Sequence, residues 1–175
     1  MRLPKDPSSN PSGTGTPVTI AATHLDGIVL ALTPNHHSCN YRSAVVYGHA
    51  SIVEDEAEKL WALERITNNM IPTRWENSRI PPTKTEMTST TILRVEVESA
   101  SAKIRAGEPG DDKADLTNTD VTSKVWSGVV PVWTQYGEPV EAQTNKIAKV
   151  PTYLTEWVEE NNEVNEEKAK AAAME

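Results

Sequence analysis

Pro17-Val18-Thr19-Ile20-Ala21-Ala22-Thr23-His24-Leu25-Asp26-Gly27-Ile28-Val29-Leu30-Ala31-Leu32, residues 17–32, is the stretch on which the fold turns. Its two ends are rich in Val, Ile and Thr, the branched side chains that suit a pleated strand. Between them stands Asp26-Gly27, a pair that favours a tight reversal because glycine accepts positive φ and aspartate tolerates it. The reading is an antiparallel hairpin with arms Pro17–Thr23 and Ile28–Leu32, ended by Pro34.

Working outward, Ala44–Val53 reads as a third strand. From Ala57 the apolar period lengthens: Ala57, Leu60, Trp61, Leu63, Ile66 and Met70 recur at three- and four-residue spacings and predict an amphipathic helix. Asp55 is placed to cap its start and Pro72 to stop it. Thr83, with Glu86 three residues on, predicts a short capped helix after the Pro81-Pro82 pair. Thr91–Glu98 alternates, with Leu93, Val95 and Val97 on one side and Arg94, Glu96 and Glu98 on the other. Extended through Ser99–Arg105, it sets Ser101, Lys103 and Arg105 on a common side. Trp126–Trp133 is the last strand, with Pro131 better suited to an edge or bulge. Residues 151–173 read as a helix docked by Tyr153, Leu154, Trp157 and Val158, and solvated or frayed beyond.

Five strand-like segments with one clear helix after the third predict a mainly β fold with α insertions, either a small barrel or a curled antiparallel sheet. No glycine-rich strand-to-helix fingerprint supports a doubly wound nucleotide fold. The organisation expected is a flexible leader over residues 1–16, one domain over 17–158, and an acidic helical or frayed tail over 159–175.

The formal net charge is −8, from 17 Lys and Arg against 25 Asp and Glu. Most of that excess sits in residues 156–175, which hold seven Glu against two Lys. No strong basic block points to a nucleic-acid surface. The single cysteine, Cys39, rules out an intrachain disulfide framework and fits a reducing compartment. No apolar run reaches membrane-spanning length, and Met1–Gly15 carries no signal-like apolar region. A soluble cytoplasmic protein is expected.

The chemistry concentrates in His36-His37-Ser38-Cys39-Asn40-Tyr41-Arg42-Ser43, placed in a loop or at the mouth of the next strand. Arg42 offers a planar fork for phosphate oxygens, Ser38 and Ser43 add hydroxyls, and His37 or Asn40 can bond a heteroaromatic edge. The alternative is a polar loop in which Asn and Ser satisfy their own backbone and Arg42 pairs with an acidic neighbour. Zinc is disfavoured, because adjacent imidazoles do not converge on one ion and no second cysteine is present. Cys39 has no defined relay for nucleophilic work. Lys103 and Arg105 form a second cationic element that reaches the same cleft if the sheet curls; otherwise they are solvated on an outer face. Trp126 is either a cover for a planar ring or a core or subunit-contact residue.

As a series, His24–Ala31, His36–Gly48, Pro72-Thr73-Arg74-Trp75, Ser101–Gly107 and Trp126–Pro131 resemble the pyridoxamine 5'-phosphate oxidase-like, flavin-nucleotide-binding family, and within it the nitroimidazole-resistance reductase branch. The resemblance spans roughly residues 17–133. It implies a split β-barrel that dimerises and binds FMN at the subunit boundary. By that resemblance Asn40, Tyr41, Arg42 and Ser43 border the flavin, with Lys103, Arg105 and Trp126 as further contacts. Family members carry additional strands before the hairpin, including a His-Gly-Ser stretch and an Arg of the phosphate pocket. This chain has only Met1–Thr16 there, so an N-terminally shortened barrel is expected. A Ser-Ala-Phe stretch of the family is replaced by Leu32-Thr33-Pro34-Asn35.

Two functions follow. One is a homodimeric FMN protein passing reducing equivalents from a nicotinamide cofactor to a small organic acceptor, with cofactor contacts from His37, Ser38, Asn40, Tyr41, Arg42, Ser43, Lys103, Arg105 and Trp126 and no identified catalytic residue or metal. The other is a degenerate split-barrel protein serving as a non-catalytic binding or interaction module.

Overall fold

The computed structural model describes residues 15–175. The expected leader over residues 1–16 therefore lies outside the described residues except for Gly15 and Thr16, and Thr16 opens the first strand. In chain order the elements are β1 (Thr16–Leu30), a 3₁₀ turn (Pro34–His36), β2 (Ser38–Ile52), α1 (Glu56–Met70), α2 (Lys84–Ser89), β3 (Leu93–Arg105), α3 (Lys113–Leu116), α4 (Thr119–Thr122), β4 (Gly128–Pro131) and α5 (Thr152–Met174).

The hairpin expected at Asp26-Gly27 does not form. Pro17–Thr23 and Ile28–Leu30 belong to one continuous strand, β1, which ends before Ala31 and Leu32. Gly27 is not among the residues with positive φ. It is needed there for a different reason: a Cβ at Gly27 would stand 2.8 Å from Cγ1 of Val129 across the β1–β4 pair. Asp26 does not cap a turn either, because its carboxylate is engaged by Arg42 on the neighbouring strand. Local turn preference is outweighed by cross-strand partners that the local sequence does not reveal.

The four strands form one antiparallel sheet in the order β3-β2-β1-β4. This overturns the split β-barrel expectation. Closing a barrel requires the two edge strands to hydrogen-bond to each other; here β3 and β4 remain at opposite edges of an open sheet. Merging the hairpin arms removes one strand from the barrel count. The edge strand β4 is also short, pairing only Gly27–Leu30 with Gly128–Pro131. The bond from Val132 N–H to the Asp26 carbonyl adds one more rung, at 3.0 Å.

The chain divides into two compact units. The first takes the chain up to Ile20, Val45–Ala100 and Ala142–Trp157. Its helices start as their sequences dictate: the Asp55 carboxylate accepts from Glu58 N–H at 2.7 Å, and Thr83 and Glu86 form a reciprocal capping box. Arg79 donates to both oxygens of Glu86, and this guanidinium holds the Glu86 carboxyl down to about 2. The Pro72-Thr73-Arg74-Trp75 segment is a turn with Thr73 at φ 60, pinned by Trp75 N–H on the Asn68 side chain at 2.7 Å and by Arg74 donating to the Tyr153 hydroxyl at 2.8 Å.

The second unit takes Ala21–Ala44, Ser101–Glu141 and Val158–Glu175. It holds most of the buried apolar residues among those described: Val29, Ala31, Leu32 and Ala169, against Ala50 and Val53 in the first unit. Two polar residues, Asp26 and Asn40, are buried with them. No helix of the described residues is long and apolar enough to cross a membrane.

Candidate functional site

The polar run beginning at His36 is only in part a loop. Pro34 starts a single 3₁₀ turn closed by His36 N–H on the Thr33 carbonyl at 3.2 Å, and from Ser38 the chain is strand. Two bonds fix this junction. Ala31 N–H donates to Nδ1 of His37 at 2.9 Å, and Leu32 N–H donates to the Asp111 carboxylate at 2.8 Å. With Nδ1 acting as acceptor, the neutral His37 ring carries its proton on Nε2, which makes that nitrogen a donor.

Because β2 begins so early, Asn40, Tyr41, Arg42 and Ser43 alternate between its two faces. Asn40 is fully buried, with 0 % exposure. Its Nδ2 donates to the carbonyls of Gly107 at 3.1 Å and Ala172 at 2.9 Å, and its Oδ1 accepts from Arg105. Arg42 donates through Nε and Nη2 to the two Asp26 oxygens, both at 2.8 Å. This bidentate bond raises the guanidinium's already high pKa. Asp26 is buried in the pair while the Arg42 side chain keeps 43 % of its exposure. The alternative reading of the sequence, Arg42 satisfied by an acidic neighbour, is therefore the geometry found.

On the other face, the Lys103 ammonium lies 5.7 Å from the centroid of the Tyr41 ring, and the Ser43 hydroxyl donates to the Lys103 carbonyl at 3.1 Å. Lys103 and Arg105, expected on a common side, engage consecutive residues of β2: Lys103 meets Tyr41, and Arg105 meets Asn40. Arg105 also donates to the Gly107 carbonyl at 3.4 Å and to the Glu108 carbonyl at 3.1 Å. Trp126 is 65 % exposed, and its ring lies so near Gly128 that a Cβ there would stand 2.8 Å from it.

Sequence reasoning missed Asp26, Gly107, Asp111 and Ala172. Asp26 reads from sequence as a turn residue, Gly107 only closes the Ser101–Gly107 stretch, and Asp111 and Ala172 act through loop or main-chain groups that carry no motif. The signal available for Asp26 was a lone acid in an otherwise apolar strand, which requires a partner when buried. Among the described residues no group of three His, Cys, Asp or Glu side chains is placed to hold a metal ion. Nδ1 of His36 is buried without a hydrogen-bond partner. A shallow open depression on α1, lined by Arg65, Ile66, Asn68 and Asn69, shares no residue with the β2 cluster.

Residues 8–104 match the family described as Pyridoxamine 5'-phosphate oxidase, and that span covers more than half of the chain. The chain belongs to this family. Members of the pyridoxamine 5'-phosphate oxidase family are flavin-nucleotide-binding proteins, and the matched span contains the whole of β2 together with Asp26 and Lys103. It stops short of Arg105, Gly107, Trp126 and α5. Two solved structures are similar at 29 % identity over 81 % of this chain: the flavocytochrome Anf3 from Azotobacter vinelandii, with a TM-score of 0.71, and the FAD and heme binding protein from Mycobacterium smegmatis, with a TM-score of 0.70. The chain spans 64 % of the first of these and 67 % of the second. No curated protein sequence matches it.

Proposed function

We propose that this protein binds a flavin nucleotide, FMN, at the start of β2, and that as a homodimer it passes reducing equivalents from a nicotinamide cofactor to a small organic acceptor. The observation that carries the reading is the coincidence of family membership with the Tyr41–Lys103 pair, an aromatic ring and an ammonium side by side on β2 and β3. A bound flavin supplies the electron chemistry. The chain's own groups bind and orient it. The Lys103 ammonium and the Ser43 hydroxyl, on the face of β2 that carries Tyr41, donate to phosphate oxygens, while Arg42 and Ser38 stand on the opposite face. His37 donates from Nε2 to a heteroaromatic edge, and the Tyr41 and Trp126 rings offer faces for a planar ring. Asn40 and Arg105, bonded to each other and to surrounding carbonyls, fix the strand end from behind.

The Asp26–Arg42 pair favours the competing reading, a non-catalytic module, because the carboxylate cancels the guanidinium charge that a phosphate would need. FAD is the other flavin to test, since one similar structure is of an FAD and heme binding protein. The test is titration of the purified protein with FMN and with FAD, followed by flavin fluorescence. Saturable quenching at micromolar FMN is expected. Lys103→Ala, a change at an exposed residue, should weaken binding about tenfold, the scale of one hydrogen bond to a charged group. No saturable binding of either flavin would remove the reading and leave the non-catalytic module.

A further inference from the structure

One oxygen atom in the second unit is unusually well served. The Ala172 carbonyl, in the last turn of α5, accepts from Nδ2 of Asn40 at 2.9 Å and from Gly107 N–H at 2.8 Å. The Arg105 guanidinium is bonded to Asn40 Oδ1, on the same amide as the first of these donors, and to the Gly107 and Glu108 carbonyls. Carbonyls in the last turn of a helix lack intrahelical partners and are ordinarily satisfied by water or by the residues that follow. Here the donors come from β2 and from the segment just after β3.

The way those donors are held is as informative as their number. Asn40 is fully buried, so its amide cannot turn to solvent. Gly107 sits at φ +96, in the region that favours glycine, and a Cβ there would stand 3.1 Å from the Glu175 carbonyl carbon. Two fixed N–H groups converging on one oxygen, with a guanidinium bonded to the amide that supplies one of them, are the donor set that oxyanions select. The helix end filling this cradle carries partial negative charge itself. Ala169, one turn earlier, is buried at 1 % exposure and seats that end.

We propose that Asn40 Nδ2, Gly107 N–H and Arg105 form an oxyanion site for a phosphate group, and that the last turn of α5 covers it with the Ala172 carbonyl, so that anion and helix end exclude each other. The site stands on its own geometry, separate from the Lys103 side of β2 where the flavin phosphate is proposed to bind. Its Gly107 and Arg105 components, and α5, lie beyond the residues matched to the family.

The test uses the full chain and Ala169→Glu, which sets a charge at a buried seat outside the cradle. Inorganic phosphate, with acetate as the carboxylate arm at equal ionic strength, is titrated while NMR follows the Gly107 amide and the Asn40 side-chain amide. In Ala169→Glu those two signals should saturate at about tenfold lower phosphate than in the unaltered chain, the scale of one charge-assisted hydrogen bond. Should Ala169→Glu fail to fold, Ala172→Pro, which disrupts the same turn, is read in the same way. A released turn, shown by fast amide exchange over residues 171–174, with no phosphate response at Gly107 and Asn40 would overturn the proposal, as would acetate saturating the signals as tightly as phosphate. FMN titrated in parallel separates the two ideas. Phosphate response without FMN binding removes the flavin reading alone, and FMN binding without phosphate response removes this site alone.

Discussion

At the scale of single residues, Asp26 and Arg42 bear on both stability and binding, and their unequal burial makes them unequal in substitution. Removing Arg42 strands a buried carboxylate, whereas replacing Asp26 leaves a guanidinium that can still reach water. Arg42→Ala should therefore cost about 3 kcal/mol of folding stability and Asp26→Asn about 1 kcal/mol, an order that urea unfolding of the two variants checks. Equal costs would mean the pair is hydrated on both sides. For the same reason Lys103→Ala is the cleaner probe of ligand binding. Glu86 carries a pH prediction. Its carboxyl is lowered to about 2 by Arg79 and by the Thr83 cap, so its contribution is complete above the ordinary carboxylate value and lost as pH falls toward about 2. Carboxyl NMR titration should show Glu86 still ionised at pH values where other surface Glu residues are protonated, and Arg79→Ala should return it toward them.

At the scale of elements, β1 is the instructive case. If Gly27 is present for close packing against Val129 and not for a turn, Gly27→Ala should destabilise by about 1–3 kcal/mol through overpacking. An alanine accepted without loss in thermal unfolding would argue for a more relaxed β1–β4 contact. Helices α1 and α2 were legible in the sequence because their signals are local: the three- and four-residue period of α1, the Asp55 cap and the Thr83–Glu86 box all lie within one or two turns, whereas the single-turn α3 and α4 carry no such period. The alternation in Leu93–Val97 marked β3 for the same reason. What was not legible depended on distant partners. The identity of β1 as one strand follows from Arg42 and Val129, and the early start of β2 follows from Gly107, Ala172 and Lys103. The candidate site was legible in its residue types, and the pairing of Lys103 with Tyr41 and of Arg105 with Asn40 was not.

At the scale of the whole molecule, apolar burial is too small to be the end of the matter. The buried apolar residues among those described are mostly Ala and Val, while Ile20, Leu25 and Ile28 of β1 and Val97 and Ile104 of β3 are exposed. Strands with apolar residues facing water call for cover, and the homodimer proposed above would supply it. Light scattering should then give twice the 19.2 kDa of one chain, and charged substitutions at Val97 and Ile104 should shift the mass toward one chain. A monomer of unchanged stability would place the cover elsewhere.

The start of β2, with Lys103 beside it, is where the proposed flavin nucleotide binds. A crystal structure of the protein grown with FMN tests that placement most directly. The expected result is the flavin ring against Tyr41, with phosphate oxygens within hydrogen-bonding distance of Lys103. Flavin bound elsewhere, or no flavin in crystals grown at saturating FMN, would contradict it.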